Sequence, residues 1–62
     1  MEKRELFFEF VTLGDYTQVR VIDSVSGIEV SVPTPVNMTR QEQMRLGTNK
    51  MRMVLRKHGI IQ

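Results

Sequence analysis

The Gly14-Asp15 dipeptide, set between two segments of alternating apolar and polar residues, constrains the fold of this chain more than any other feature. Glycine at the first central position of a two-residue turn supplies the positive φ that a type II′ hairpin requires. Pairing outward from this turn buries one face of the hairpin, as period-two alternation predicts. The rows on that face are Phe10 with Val19 and Phe8 with Val21. The sequence therefore predicts two antiparallel strands, at residues 6–12 and 17–22.

A second turn is predicted at residues 23–27, because Asp23 can cap a turn with its own side chain and Gly27 can adopt a left-handed conformation. Two registers that differ by two residues bury the same face of the third strand. We prefer the register in which Ile22 pairs with Gly27, since it aligns charges of alternating sign across the sheet. This charge row consists of Glu9, Arg20 and Glu29.

The third strand is expected at residues 28–32 and ends at Pro33-Thr34-Pro35, because proline has no N–H to donate to a ladder. A capping box at residues 39–42 then starts a helix. The helix spans residues 40–58, and Gly59 is expected to end it in a left-handed conformation. Apolar residues recur along it at spacings of three and four, as in an amphipathic helix. Its core-facing sector contains Met44, Gly47, Thr48, Met51, Val54, Leu55 and His58.

These elements predict an α+β fold, a three-stranded antiparallel meander sheet with one C-terminal α-helix packed on one face (βββα). With 62 residues, the chain is expected to form a single small domain over residues 1–62, near the lower size limit for a fold without disulfides or metal. The core combines the inner face of the sheet with the apolar side of the helix. Its expected members are Leu6, Phe8, Phe10, Val19, Val21, Ile28, Val30, Val32, Met44, Met51, Val54 and Leu55.

Several classes of function do not fit the composition. The chain has no cysteine and a single histidine, His58, so we expect no thiol chemistry, no metal site, no cofactor and no small-molecule ligand. No serine, histidine and acid triple can be assigned, and His58 fits a packed or capping role better than that of a general base. The first five residues mix both charge signs and resemble neither a signal peptide nor a membrane span. We therefore expect a cytoplasmic protein that is not an enzyme and has no catalytic residues.

The outer face of the sheet, opposite the helix, is the first candidate interaction surface. The single helix cannot also cover it, yet Phe7 and Ile22 are expected to be neighbours there, with Val11 beyond the charge row. A charge row is ordinarily a register device on a solvated face, whereas a rimmed apolar pair often marks a contact with another protein. The candidate interaction patch is Phe7, Val11, Arg20 and Ile22. Self-association and the docking of a protein partner both fit it.

The solvent-facing side of the helix is the second candidate surface. The chain up to residue 39 has a net negative charge, and the remainder has a net positive charge. Such a run is ordinarily a solvated face, but it also suits docking on nucleic-acid phosphates or on an acidic protein. The candidate anion-binding stripe is Arg45, Lys50, Arg52, Arg56 and Lys57, with Leu46 and Met53 beside it. The sheet itself is a poor nucleic-acid platform, because its exposed arginine lies between two glutamates.

Several short motifs match a known family. They are Phe8-Glu9-Phe10 followed by Gly14, Ile22-Asp23 with Ser26-Gly27-Ile28-Glu29-Val30, a proline-containing loop, and a helix ending near Leu55-Arg56. With them the chain resembles a family of short uncharacterised bacterial proteins grouped as a domain of unknown function. The resemblance implies a strand-strand-strand-helix fold and a bacterial cytoplasmic setting, and it implies no activity, ligand or catalytic residue.

Our leading hypothesis is a non-enzymatic interaction module. The alternative is a nucleic-acid-associated protein that binds phosphates through its basic helix.

Overall fold

Three strands followed by one helix make up the computed structural model, which describes residues 3–62 of the chain. The elements are β1 (Leu6–Leu13), β2 (Tyr16–Asp23), β3 (Glu29–Pro35) and α1 (Arg40–Lys57). Neighbouring strands are antiparallel in the order β1-β2-β3, and α1 packs on one face of the sheet. The predicted α+β layout is therefore confirmed.

The first hairpin has the predicted register. Its central pairs are Phe10 with Val19, Glu9 with Arg20 and Phe8 with Val21. Gly14 has a φ of +67°, as the first central position of a type II′ turn requires. Both strands reach the turn itself, where Leu13 pairs with Tyr16, so each is one residue longer at this end than predicted.

The second hairpin has the other of the two registers, so the predicted pairing of Ile22 with Gly27 is wrong. Asp23 is the last residue of β2, and its N–H donates to the carbonyl oxygen of Ile28 at 2.9 Å. Gly27, with a φ of +77°, lies inside the turn instead of pairing. The cause is the Asp23 carboxylate, whose Oδ2 accepts hydrogen bonds from the N–H and the hydroxyl of Ser26 at 2.8 and 2.7 Å. The inner and outer faces are unchanged, because the two registers differ by two residues.

The third strand continues through both prolines, so its predicted end at residue 32 is also wrong. Pro33 pairs with Gln18 and Pro35 with Tyr16. Proline disrupts a central strand, but β3 is at the edge of the sheet. Its even-numbered residues point their backbone groups toward β2, as the Val36 N–H does toward the carbonyl oxygen of Asp15. The two proline nitrogens therefore face away from the ladder, where no N–H is needed.

The helix begins and ends with recognisable caps. Thr39 is the N-cap residue, and its hydroxyl accepts a hydrogen bond from the Glu42 N–H at 3.2 Å. The other half of the predicted capping box is replaced, because the Glu42 carboxylate accepts hydrogen bonds from Arg45 instead. At the C-terminus Gly59 has a φ of +72°, and its N–H and that of Ile60 donate back to the last turn in a Schellman motif. The last helical residue is one earlier than predicted.

The core lies between α1 and the inner faces of β2 and β3, which are the strands that the helix mainly contacts. Its buried apolar residues are Val19, Val21, Val30, Met51 and Leu55. Partly buried residues packed against them are Leu6, Phe8, Phe10, Ile28, Val54 and Ile61. Met44 is exposed, contrary to prediction, and Gln43 is buried in the first turn of the helix. Val32 is only half-buried and lies outside this cluster.

Gly47 brings α1 into direct contact with the sheet. A Cβ atom built at this position would lie 2.7 Å from Val21 Cγ2 and 3.2 Å from Val19 Cγ1. Optimal separations between non-bonded carbon atoms are about 3.5–4.0 Å. Packing therefore favours glycine here, because a larger residue would force the valines or the helix to shift; its predicted position on the core-facing sector did not reveal this role.

Candidate interaction surfaces

The outer face of the sheet presents apolar side chains to solvent. Phe7 pairs with Ile22, as predicted, and the two side chains are 55% and 38% exposed. Val11 lies further along β1 on the same face and is half-buried. Arg20 lies between the Phe7–Ile22 pair and Val11, because it pairs with Glu9 in the intervening row. The structure thus brings Phe7 and Ile22 together and separates them from Val11 by charged side chains.

The charge row forms, with a different geometry from the predicted one. Arg20 pairs across the ladder with Glu9 and Ser31, so Glu29 reaches it diagonally. Arg20 Nε lies 2.8 Å from Glu29 Oε2, which Nη2 also contacts, and Arg20 Nη1 lies 3.0 Å from Glu9 Oε1. The hydrogen bond with Glu29, followed by the charges of Glu29 and Glu9, raises the pKa of Arg20. The guanidinium therefore remains charged and paired on the surface.

A further apolar group lies at the hairpin end of the outer face. Leu13 pairs with Tyr16, and Tyr16 with Pro35, so all three side chains share one row. Leu13 is 47% exposed, and Tyr16 is also exposed. The sequence prediction missed this group because it ended the strands too early. The signal was available, since Leu13 continues the alternation that runs through Phe7.

The basic residues of α1 fall into two groups. Arg45 donates to both carboxylate oxygens of Glu42, at 3.3 and 3.0 Å, and this hydrogen bonding, with the charge of Arg45, lowers the pKa of Glu42. The remaining residues of the predicted stripe are exposed and form no ion pair with another residue of the range 3–62; they are Lys50, Arg52, Arg56 and Lys57. Met53 beside them is 62% exposed, whereas Leu46 is half-buried. The stripe is thus a cationic surface in which the charge of Arg45 is partly neutralised by Glu42.

A polar network that the sequence prediction missed joins α1 to the sheet. Gln43 Nε2 donates to Thr34 Oγ1 at 3.0 Å, and Thr34 Oγ1 donates to the carbonyl oxygen of Thr17 at 3.0 Å. Thr17 Oγ1 also lies 3.1 Å from Thr12 Oγ1, and Gln43 Oε1 accepts a hydrogen bond from Arg40 at 3.3 Å. The available signal was a row of three threonines on the inner face, which cannot be apolar core and so requires a polar partner from the helix.

His58 is the C-cap residue of α1, and its side chain is exposed, so its predicted core-facing position is wrong. Within residues 3–62, no group of three or more histidine, aspartate or glutamate side chains could hold a metal ion. No pocket is found in that part of the chain. No helix in the same range is long and apolar enough to cross a membrane.

The four elements and their turns can now be compared with known families. A family model described as Domain of unknown function (DUF6898) matches residues 3–58. The chain belongs to this family. The DUF6898 match spans all three strands and α1, and so includes both the outer sheet face and the basic helix surface. No curated protein and no solved structure matches the chain. Membership of DUF6898 brings no described activity.

Proposed function

We propose that this domain is a non-enzymatic, cytoplasmic interaction module that docks another protein on the outer face of its sheet. The observation that carries the proposal is the exposed pair of Phe7 and Ile22, two large apolar side chains in contact positions on a face opposite the only helix of residues 3–62. Val11 adds apolar surface on the other side of Arg20. Aromatic residues and arginine are enriched in the centres of protein interfaces, where they act as anchors.

The charges on this face favour a protein over a nucleic acid. Glu9 and Glu29 flank Arg20 and are themselves exposed, so phosphates approaching the sheet would meet carboxylates on both sides of the cation. A protein partner can instead supply a carboxylate or a carbonyl to the guanidinium and donors to the two glutamates. The adjacent Phe7 and Ile22, with the charge row along one side, provide an apolar anchor with polar groups at its margin.

The experiment uses the domain and two variants as tagged baits in lysate of its host. Ile22→Asp places a charge in the patch without touching the core, and Met53→Asp is the matched control on the exposed side of α1. We expect the same partner on the wild type and on Met53→Asp, and at least about tenfold weaker binding of the purified partner to Ile22→Asp, as for loss of an interface anchor. Equal binding of that partner by all three forms would remove the proposal.

Self-association through the same face is checked in solution. Sedimentation of the wild type and of Ile22→Asp separates the two versions, because a charge at the exposed Ile22, on the central strand, opposes stacking of one outer face on another. A monomer in both samples would remove self-association through this face and leave the docking of a different protein.

Phosphate binding by α1 is the second candidate function. It is supported by the exposure of Lys50, Arg52, Arg56 and Lys57, none of which forms an ion pair within the described residues. Binding through such contacts falls steeply as salt rises. A gel-retardation assay at two salt concentrations, with Arg52→Gln and Arg56→Gln combined, tests it. Salt-sensitive retardation that the double variant loses would support this function, and no retardation at low salt would exclude it.

A further inference from the structure

The two edges of the sheet expose different sets of backbone groups. In a two-residue hairpin the residues that flank the turn, here Leu13 and Tyr16, exchange both backbone hydrogen bonds, and bonded and non-bonded pairs alternate from there. Odd-numbered residues of β1 therefore bond to β2, and the hydrogen bond from the Ser24 N–H to the Glu5 carbonyl oxygen continues this pattern. Even-numbered residues of β1 point their N–H and C=O groups outward from the sheet. They are Leu6, Phe8, Phe10 and Thr12.

The β3 edge is protected against pairing with another strand, whereas the β1 edge is not. On β3 the odd-numbered residues point outward, and two of them, Pro33 and Pro35, have no N–H. Prolines on an edge strand are a recognised protection against pairing with another chain. The β1 edge contains no proline over its eight residues, and its one charged side chain, Glu9, is paired with Arg20; most of its other side chains are apolar on both faces. An open edge of this kind is a template for strand addition.

The inner side of β1 is also incompletely covered, because α1 packs mainly on β2 and β3. Phe8 and Phe10 are only half-buried. Their rings stack on each other with centroids 6.3 Å apart. The guanidinium of Arg40 lies over the Phe10 ring at 3.8 Å from its centroid. A strand added beside β1 would cover the remaining exposed surface of both rings.

We propose that β1 of a second copy of this chain pairs antiparallel with this edge and joins the two sheets into one. An antiparallel pair of identical strands has twofold symmetry, so one patch meets itself and the assembly closes as a dimer. The strand that best matches β1 must be mostly apolar on both faces, and β1 itself meets this requirement apart from Glu9. The joined sheet would have six strands with a β3 strand at each edge, so both of its edges would contain the prolines.

Between the two registers centred on the middle of β1, the side chains favour one. With Phe10 on the twofold axis, Phe7 lies opposite Leu13 of the second copy and Glu9 lies opposite Val11 of the second copy. This arrangement covers Phe7 and Leu13, which are 55% and 47% exposed in one copy. With residue 9 on the axis, Glu9 would face Glu9, and like charges directly opposite are destabilising. The Phe10-centred pairing is therefore the one that we assign.

This dimer uses an edge of the sheet, and it does not depend on the proposed docking of another protein on the outer face. Both proposals involve Phe7, but Ile22 lies on the central strand and not on the β1 edge, so a substitution at Ile22 tests them separately. Ile22→Asp should lose the docked partner and keep the dimer.

The test exploits the length of the chain, since 62 residues are within reach of chemical synthesis. N-methylation of the Phe10 amide removes one outward N–H and keeps the side chain. N-methylation of Ser31 makes the same change on the β3 edge and is the matched control. We expect light scattering of the wild type and of the Ser31 form to give twice the monomer mass of 7.2 kDa, and the Phe10 form to give 7.2 kDa. Dimers of both methylated forms would overturn the proposal, as would a wild type that is monomeric into the millimolar range.

Hydrogen exchange of the unmodified protein gives an answer that does not depend on how the methylated chains fold. The outward amides of Phe8, Phe10 and Thr12 should exchange more slowly as the protein concentration rises, by roughly tenfold between mostly monomeric and mostly dimeric samples. The amides of Glu29 and Ser31, which are outward on the other edge, should not change. Concentration-dependent protection on the β3 edge, or on neither edge, contradicts β1 pairing.

Discussion

Asp23 shows how one residue can decide a local structure that its neighbours leave open. Its side chain is fully buried, and Oδ2 accepts hydrogen bonds from the Ser26 N–H and hydroxyl and from Arg4 at 2.9 Å. Oδ1 is buried without a hydrogen-bond partner among the described residues. Burial by itself raises the pKa of Asp23, but the hydrogen bonds from Ser26 and the charge of Arg4 outweigh it and lower the pKa below the usual 3.8. The ionised carboxylate is therefore the form that the fold requires.

This shift predicts acid destabilisation that depends on Asp23. A depressed folded pKa adds stability above the unfolded value, and the added stability is lost as the pH falls through the folded pKa. The free energy of unfolding of the wild type should thus decline as the pH falls through and below the usual value of 3.8. Asp23→Asn should be less stable at pH 7 by about 1–3 kcal/mol, because it weakens the bonds to Ser26 and Arg4. Its stability should vary less with pH over the acid range, as measured by urea denaturation at several pH values.

Glu42→Gln provides the control for this measurement. The pKa of Glu42 is also lowered, by its hydrogen bond and charge interaction with Arg45, but this pair lies on the exposed surface, where water screens it. The variant should reproduce the wild-type profile closely. If Asp23→Asn and the wild type lose stability in parallel on acidification, Asp23 is not the group responsible.

The helix and the sheet are held at a fixed distance by a glycine. Alanine is the better helix former, by about 0.8–1.0 kcal/mol in an exposed helix. At position 47, however, the added methyl group would meet Val21 Cγ2 at 2.7 Å, and a β-branched side chain has little rotamer freedom with which to move away. Packing and helix propensity therefore oppose each other at this position.

We expect packing to prevail in Gly47→Ala. Overpacking a core typically costs about 1–3 kcal/mol, which exceeds the gain in helix propensity over most of that range. The urea midpoint of Gly47→Ala should therefore lie below that of the wild type. Asn49→Ala, at an exposed position two residues away, should raise the midpoint, since it gains propensity without a clash. A rise in both variants would show that the helix can move away from the sheet at little cost.

At the scale of the whole molecule, residues 3–62 form one layer of sheet and one helix, and they leave an outer face and two edges of the sheet without a covering element. One edge is protected by Pro33 and Pro35, and the other is a continuous eight-residue strand. A closed dimer needs one open edge per copy, whereas an open-ended array needs two. The difference between the two edges therefore limits the assembly to two copies.

Restoring donors on the β3 edge should remove this limit. In the double variant Pro33→Thr and Pro35→Thr, both edges of the sheet present N–H groups to a neighbouring chain. We expect light scattering to detect species larger than the wild-type assembly, increasing with protein concentration. The same substitutions combined with N-methylation of Phe10 should reduce the size of these species again. A double variant with the mass of the wild type would show that the prolines do not restrict assembly.

The sequence alone determined the elements, the order of the strands and the side of the sheet that is buried. These depend on local properties: the φ preference of Gly14, the alternation around it, and the cap at Thr39 each act within a few residues. The neighbouring positions of Phe7 and Ile22 follow from the first turn and are equally local. The DUF6898 family matches this same span, residues 3–58.

Only the tertiary structure decided the register of the second hairpin, the end of β3 and how closely α1 packs on the sheet. Each depends on which groups meet in the folded chain: the buried Asp23 carboxylate with Ser26 and Arg4, the proline nitrogens with solvent instead of a strand, and Gly47 with the valines beneath it. An alternating sequence pattern cannot distinguish two registers that bury the same face. The hydrogen bonds of the buried Asp23 carboxylate distinguish them, because an unpaired carboxylate in the core is costly. The tertiary structure also decides that β1 has an open edge, because a strand is at an edge only when the order of strands in the sheet is set.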